Sequence, residues 1–178
     1  LYARRQRQMC IRDSPETILR NEIGKHFTLK EKSIGPPKIY LGGKVRKVTL
    51  DNGQKCWGYS SSQYVQNAVK NVEEFLAKKG SKLPARGKHP IMTGYRPEVD
   101  VTPPLEPALA SYFQSLIGIL RWIVELGRVD ICCEVSLLSS HLVLPREGHL
   151  DQLFHIFAYL KKHHNAELIF DPSSPDLQ

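Results

Sequence analysis

Seven aspartates stand in the chain, Asp13, Asp51, Asp100, Asp130, Asp151, Asp171 and Asp176, and no two of them are neighbours. Two-metal phosphoryl chemistry needs carboxylates able to hold two magnesium ions a few Å apart, so that both the attacking and the leaving oxygen are stabilised. The aspartate spacing offers no such pair. Histidines crowd one predicted helix, but metal ligands on a helical face recur at three or four residues. His149 and His155 are six apart, and His163 and His164 are adjacent. His149 reads instead as a surface or capping group near the start of that helix. Cys132 and Cys133 fall on a helix expected to pack, so they read as small core residues. A cysteine nucleophile would need an exposed, electropositive thiol and an oriented base. The four cysteines supply neither a disulfide framework nor paired C-x-x-C zinc ligands, which points to a reducing, intracellular compartment. No nucleophile, base and acid converge, so a small hydrolase is disfavoured.

Basic residues around two glycines are the remaining candidates. In KIYLGGKVRKV, Gly42 and Gly43 allow a sugar-phosphate backbone to approach closely, and Lys38, Lys44, Arg46 and Lys47 are placed to meet phosphates. The same residues also suit a solvated hairpin whose lysines discourage edge pairing. Lys70, Lys78 and Lys79 on the next predicted helix read first as its wet face. Their other reading is a track for a nucleic-acid backbone, whose binding would be salt-dependent. Trp57 and Trp122 read as core anchors rather than platforms for stacked bases.

The elements that must position these groups follow from periodicity. Ser14, Pro15 and Glu16 make a good helix start, and Leu19, Ile23 and Phe27 step by four, which predicts a helix over residues 15–27. Ile39, Leu41 and Val45 alternate with polar or small residues, and Asp51, Asn52 and Gly53 form a strong turn. The expectation is therefore a β-hairpin over residues 36–59. One of Ser60, Ser61 and Ser62 then caps a helix striped by Val65, Ala68, Val69, Val72, Phe75 and Leu76, which ends at Lys78, Lys79 and Gly80. Six prolines and no period make residues 81–107 an extended linker between a front unit, residues 14–80, and a back unit, residues 108–172. The back unit reads as three helices, near 108–126, 131–142 and 146–163, followed by a short strand over residues 166–170 and a polar tail. Within residues 112–130, Leu116, Ile117, Leu120, Ile123, Val124 and Leu126 share a broad apolar face. Gly127 is placed for a left-handed cap, and Asp130 to cap the helix that follows.

The wording of that helical hairpin narrows the function. Tyr112, Ser115, Leu116, Gly118 and Leu120, followed by Arg128, Asp130 and Ile131, resemble the Y-x-S-L-x-G-x-L … R-x-D-I signature of the reverse transcriptase region in copia-type LTR retrotransposon polyproteins. Leu144, Pro145, Arg146, Glu147, His149 and Leu150, then Tyr159, Leu160 and Lys161, look like the helix that follows it in that family. The resemblance covers residues 14–172. It implies an α+β fold, predominantly helical with one β-hairpin, made of the end of a polymerase palm, a thumb and a connection. It implies RNA-directed DNA polymerisation for the parent enzyme, with magnesium as cofactor. The implied partners are a template-primer duplex and the rest of the polyprotein, palm and ribonuclease H, and no membrane. In that family an aspartate pair precedes the helix placed here at 15–27. The resemblance therefore implies a catalytic centre on a segment this chain lacks, with no catalytic residue, metal site or cofactor of its own. PPKIYLGGKV is similar to the primer grip of reverse transcriptases, so Tyr40, Leu41, Gly42, Gly43, Lys44 and Arg46 are the implied nucleic-acid contacts.

Composition bounds these readings. The chain has 178 residues and 41% hydrophobic content, enough for a core. Its longest apolar run, near residues 116–126, is broken by Arg121 and Glu125 and falls short of a membrane span. Of the net charge of +7, four arginines and Asp13 place +3 in the first fourteen residues, so the remainder is a weak electrostatic footprint. Residues 1–13 lack periodicity, and RQRQMCIRDS looks like translated sequencing-adapter sequence; they are read as an artefact. From a different class, a non-catalytic helical interaction or RNA-binding module also accounts for a basic hairpin on a helical body.

Overall fold

The computed structural model describes residues 21–28, 30, 36, 38–85 and 88–171, and it divides into two compact units, residues 1–37 and 38–178. In the first unit the described stretch carries a 3-10 turn, Ile23–Lys25, with Lys25 paired to Glu22 at 3.5 Å. In the last turns of the α-helix predicted over 15–27 the described residues form this 3-10 turn instead, and Ile23 and Phe27 are exposed, so burial does not support a longer helix there. Residues 15–20, the adapter-like residues 1–13 and the tail 173–178 lie outside the described residues.

The second unit is mixed α+β. It comprises β1 (Ile39–Tyr40), β2 (Gly43–Thr49), β3 (Lys55–Ser60), α1 (Ser62–Lys78), α2 (Pro107–Glu125), α3 (Cys132–Ser139), α4 (Glu147–Lys162) and β4 (Leu168–Phe170). The single hairpin expected from sequence is a four-stranded antiparallel sheet in the order β1-β2-β3-β4. Two causes account for the difference. The predicted first strand folds back on itself at Leu41 and Gly42, and the strand after α4 adds to the far edge of β3.

The helices follow their apolar spacing. Val65, Ala68, Val69, Val72 and Leu76 of α1 pack with Phe113, Leu116, Ile117, Leu120 and Ile123 of α2, Val135 and Leu138 of α3, and Leu153, Ile156, Phe157 and Leu160 of α4 in one core. By length and composition alone α2, with 19 residues, would suffice to cross a bilayer, more than the shorter run in the sequence suggests. Its apolar face is occupied by the protein's own core. Both long-helix ends flanked by glycine close the same way. At α1, Gly80 N–H donates to Ala77 O and Ser81 N–H to Leu76 O; at α2, Gly127 N–H donates to Val124 O and Arg128 N–H to Ile123 O. These paired bonds satisfy the last free carbonyls and require the positive φ of Gly80 (69°) and Gly127 (97°). Gly127 also has no room for a Cβ, which would overlap the Leu168 side chain of β4.

Beyond Gly127 the structure corrects the expected cap. A 3-10 turn, Val129–Ile131, precedes α3, and Asp130 caps no helix. Its carboxylate instead accepts two bonds from Arg128, at 2.9 and 2.7 Å, and one from the Tyr159 hydroxyl at 2.9 Å, which ties the hinge to α4. Arg128 is only 2% exposed. Cys132 and Cys133 are exposed rather than core residues, because the extra turn rotates them off the packed face. Trp57 (37%) and Trp122 (40%) are likewise too exposed to be core anchors.

The proline-rich segment has no ladder of its own, so its backbone groups bond to α4. The buried Gln152 amide accepts from Met92 N–H at 3.0 Å and donates to Pro90 O at 2.9 Å, and His155 donates to His89 O. His149 is a capping group, as the sequence suggests, but a buried one. Its Nδ1 accepts the Arg146 N–H at 3.1 Å, which leaves Nε2–H to donate to Pro97 O at 3.1 Å. Asp100 accepts from Tyr95 and from both the amide and hydroxyl of Thr102.

Candidate nucleic-acid interface

The predicted contact residues gather at the β1–β2 tip. Ile39 pairs with Lys44 and Tyr40 with Gly43, leaving Leu41 and Gly42 as a two-residue turn. Their φ values, 48° and 89°, are both positive, the signature of a type I′ hairpin whose twist matches the flanking strands. Gly42 adopts this freely. Leu41 is the one non-glycine residue at positive φ among the described residues, a conformation that costs an L-residue about 1–2 kcal/mol. Ile39, Tyr40 and Leu41 are all exposed, so the strain does not gain a core contact.

The tip is nevertheless held. Tyr59 on β3 donates its hydroxyl to Tyr40 O at 3.1 Å, and its ring crosses Gly43, where any Cβ would overlap it. Burial of that ring raises the Tyr59 pKa, so the hydroxyl stays a donor. Gly43 is therefore required by a side chain of the same sheet. Lys44 is exposed, with no partner among the described residues, whereas Lys47 lies over the Trp57 ring at 5.6 Å. Arg46 is engaged by Glu167, which precedes β4; Nε and Nη2 meet the two carboxylate oxygens at 2.8 and 2.5 Å. That carboxylate sits over Gly58, where a Cβ would displace it.

On α1, Lys70 stands 3.9 Å from Glu74, and just past its end Lys79 lies over the Phe75 ring at 4.9 Å. Phe75 in turn stacks on Tyr112, with centroids 3.8 Å apart, and burial pushes the Tyr112 hydroxyl up to about 12. Among the described residues no three histidine, cysteine, aspartate or glutamate side chains come together as metal ligands. Sequence reasoning missed Tyr59 and Glu167. Tyr59 was legible as the cross-strand neighbour of Val45 once a hairpin was drawn, but Glu167 lies 121 residues from Arg46 and left no local signal.

No protein-family model matches the chain, and no solved structure matches it. A transposon Ty5-1 protein of Saccharomyces cerevisiae is 27% identical to it over 143 residues, which is 80% of this chain and 41% of that protein. The chain thus spans less than half the length of this curated relative. That likeness supports a retrotransposon-related protein.

Proposed function

We propose that the chain is part of the reverse transcriptase of a copia-type retrotransposon, and that its β1–β2 tip supports the template-primer duplex near the primer end. The observation that carries this reading is the tip itself. Three exposed apolar residues, Ile39, Tyr40 and Leu41, are presented at a strained turn, clamped by Tyr59 and followed by Lys44, whose side chain has no partner among the described residues. Backbone strain kept without a packing reward is characteristic of sites that must hold a shape for a ligand. Likeness to a transposon protein supports the same reading at the level of the element.

In this assignment the tip offers apolar surface and backbone groups to the primer, and Lys44 meets a phosphate. Arg46 aligns β2 with the strand after α4 through Glu167, rather than reaching for nucleic acid. The magnesium ions of polymerisation belong to carboxylates of the parent enzyme outside this set, and they would stabilise the attacking and leaving oxygens there. The remaining expected partners are the palm and ribonuclease H parts of the same polyprotein.

Fluorescence anisotropy with a labelled template-primer duplex tests the assignment. Lys44→Glu should weaken binding about tenfold near 0.1 M salt and lower the slope of log affinity against log salt by about 1. An unchanged affinity and slope would remove the tip from the interface. In a primer-extension assay with magnesium, the isolated chain is expected to add no nucleotides; synthesis would refute the assignment of catalysis to other parts of the polyprotein.

A further inference from the structure

A second basic surface lies in a different part of the unit, along α4. The C-terminal ends of α1 and α4 and the chain crossing between them enclose a groove of about 720 Å³. A second hollow of about 380 Å³ continues it, the two meeting at Ala85 and Lys162. Lys82, Lys88, Lys161 and Lys162 line the pair, against one carboxylate among the described residues, Glu73. That carboxylate is already neutralised by Lys161 at 2.6 Å. Lys162 is anchored through Ala85 O at 3.0 Å, while Lys82 and Lys88 are exposed and without partners among the described residues. The floor is small and largely apolar, made of Ala77, Gly80 and Ala158 with Leu83. His89 and His155 stand in the second hollow.

We propose that this α1–α4 groove is a binding site for single-stranded nucleic acid, with phosphates on the lysine rim and unpaired bases entering the floor. Charge selects a polyanion. The volume lies in the range of sites that enclose a small organic group, and the floor accepts flat apolar faces. A duplex keeps its bases stacked inside and would bring only phosphates to the rim. A single strand can splay bases into such hollows and stack them on ring side chains. The surface is separate from the β1–β2 tip, so failure of the tip variants would leave this site standing, and the reverse.

The test is anisotropy on the full chain with labelled 12-nucleotide oligouridylate and oligothymidylate, and with a 12-base-pair duplex and polyglutamate as competitors. At least one of the two single strands should bind, and neither competitor should displace it at equal charge; the two strand arms report whether the sugar matters. Lys82→Glu and Lys88→Glu, which break no contact of the fold, should each weaken single-strand binding about tenfold and lower the salt slope by about 0.7. Lys55→Glu, the same charge change at the opposite turn of the hairpin, should leave it unaltered. Binding of neither strand, equal displacement by polyglutamate or duplex, or equal weakening by Lys55→Glu would overturn the proposal.

Discussion

The helical body and the sheet are stabilised in opposite ways. In the body, large apolar side chains from four helices interlock, and an ion pair between the buried Arg128 and the partly exposed Asp130 closes the α2–α3 hinge. In the sheet, apolar residues at the tip face solvent, and shape is held by a few polar contacts placed where only glycine fits: the Tyr59 hydroxyl over Gly43, and the Arg46–Glu167 pair over Gly58. The buried side chains of the body can thus be trimmed only at the cost of stability. The tip, by contrast, keeps exposed apolar residues and a left-handed Leu41 that no core contact repays. The difference separates a packed scaffold from an exposed, strained tip.

The comparison is put under most stress in the core. Phe113 is fully buried among α1, α2 and α4, so Phe113→Ala should cost about 3–5 kcal/mol through lost contacts and the cavity left behind. Chemical denaturation should show it, and a loss below about 1 kcal/mol would mean that the helical body is not the principal source of stability.

The next effect is at the hinge. Burial alone would raise the Asp130 carboxyl, but the bonds and charge of Arg128 and the Tyr159 hydroxyl hold its pKa below the ordinary value. A folded pKa lower than the unfolded one adds stability at pH above the unfolded value, near 4, and that stability disappears as pH falls through the folded value. Asp130→Asn leaves a buried guanidinium without its counter-charge and should cost about 2–3 kcal/mol at neutral pH. The gap between variant and native protein should close on acidification. A gap that persists at pH 2 would assign the cost to shape rather than charge.

These two regions are also unequally legible in the sequence. Spacing of Val65 to Leu76 and of Leu116 to Ile123 locates α1 and α2 nearly to the residue, because a stripe buried against other helices must keep the helical period. Sheet topology resists. Ile39, Leu41 and Val45 alternate as one strand would, yet the positive φ of Leu41 turns the chain back, and leucine gives no warning of that. The β4 pairing depends on where α4 delivers the chain. Asp130, Cys132 and Cys133 mislead for one local reason, the 3-10 turn ahead of α3 that their spacing does not announce. The basic candidates are legible as residue types, but not whether they are engaged: Arg46 meets Glu167 only in three dimensions, and Lys44 has no side-chain partner among the described residues.

Two glycines sharpen the contrast further. A Cβ at Gly43 would overlap the Tyr59 ring, so Gly43→Val should displace that ring, cost about 1–2 kcal/mol and weaken duplex binding. Gly118, mid-way along α2, has open space where a methyl group would stand, so Gly118→Ala should add about 0.5–1 kcal/mol by helix propensity and leave binding unchanged. Thermal denaturation of the pair reads both signs at once. Equal effects would erase the distinction between a glycine the geometry demands and one it merely tolerates.

The smallest effect is the most diagnostic. Leu41 holds a left-handed conformation that asparagine adopts more readily, so Leu41→Asn should raise stability by up to about 1 kcal/mol. The leucine side chain is exposed, so little burial is lost in exchange. If the tip is only a turn, the variant is a plain improvement. If it is a contact surface, the same change removes an apolar group from the primer side, and duplex affinity should fall while the melting temperature rises. Opposite movement of the two measurements is the expected result, because the hairpin turn needs the positive φ but not the leucine side chain, which a contact surface would use. A variant that melts higher and binds as well as the native protein would reduce the tip to ordinary solvated hairpin.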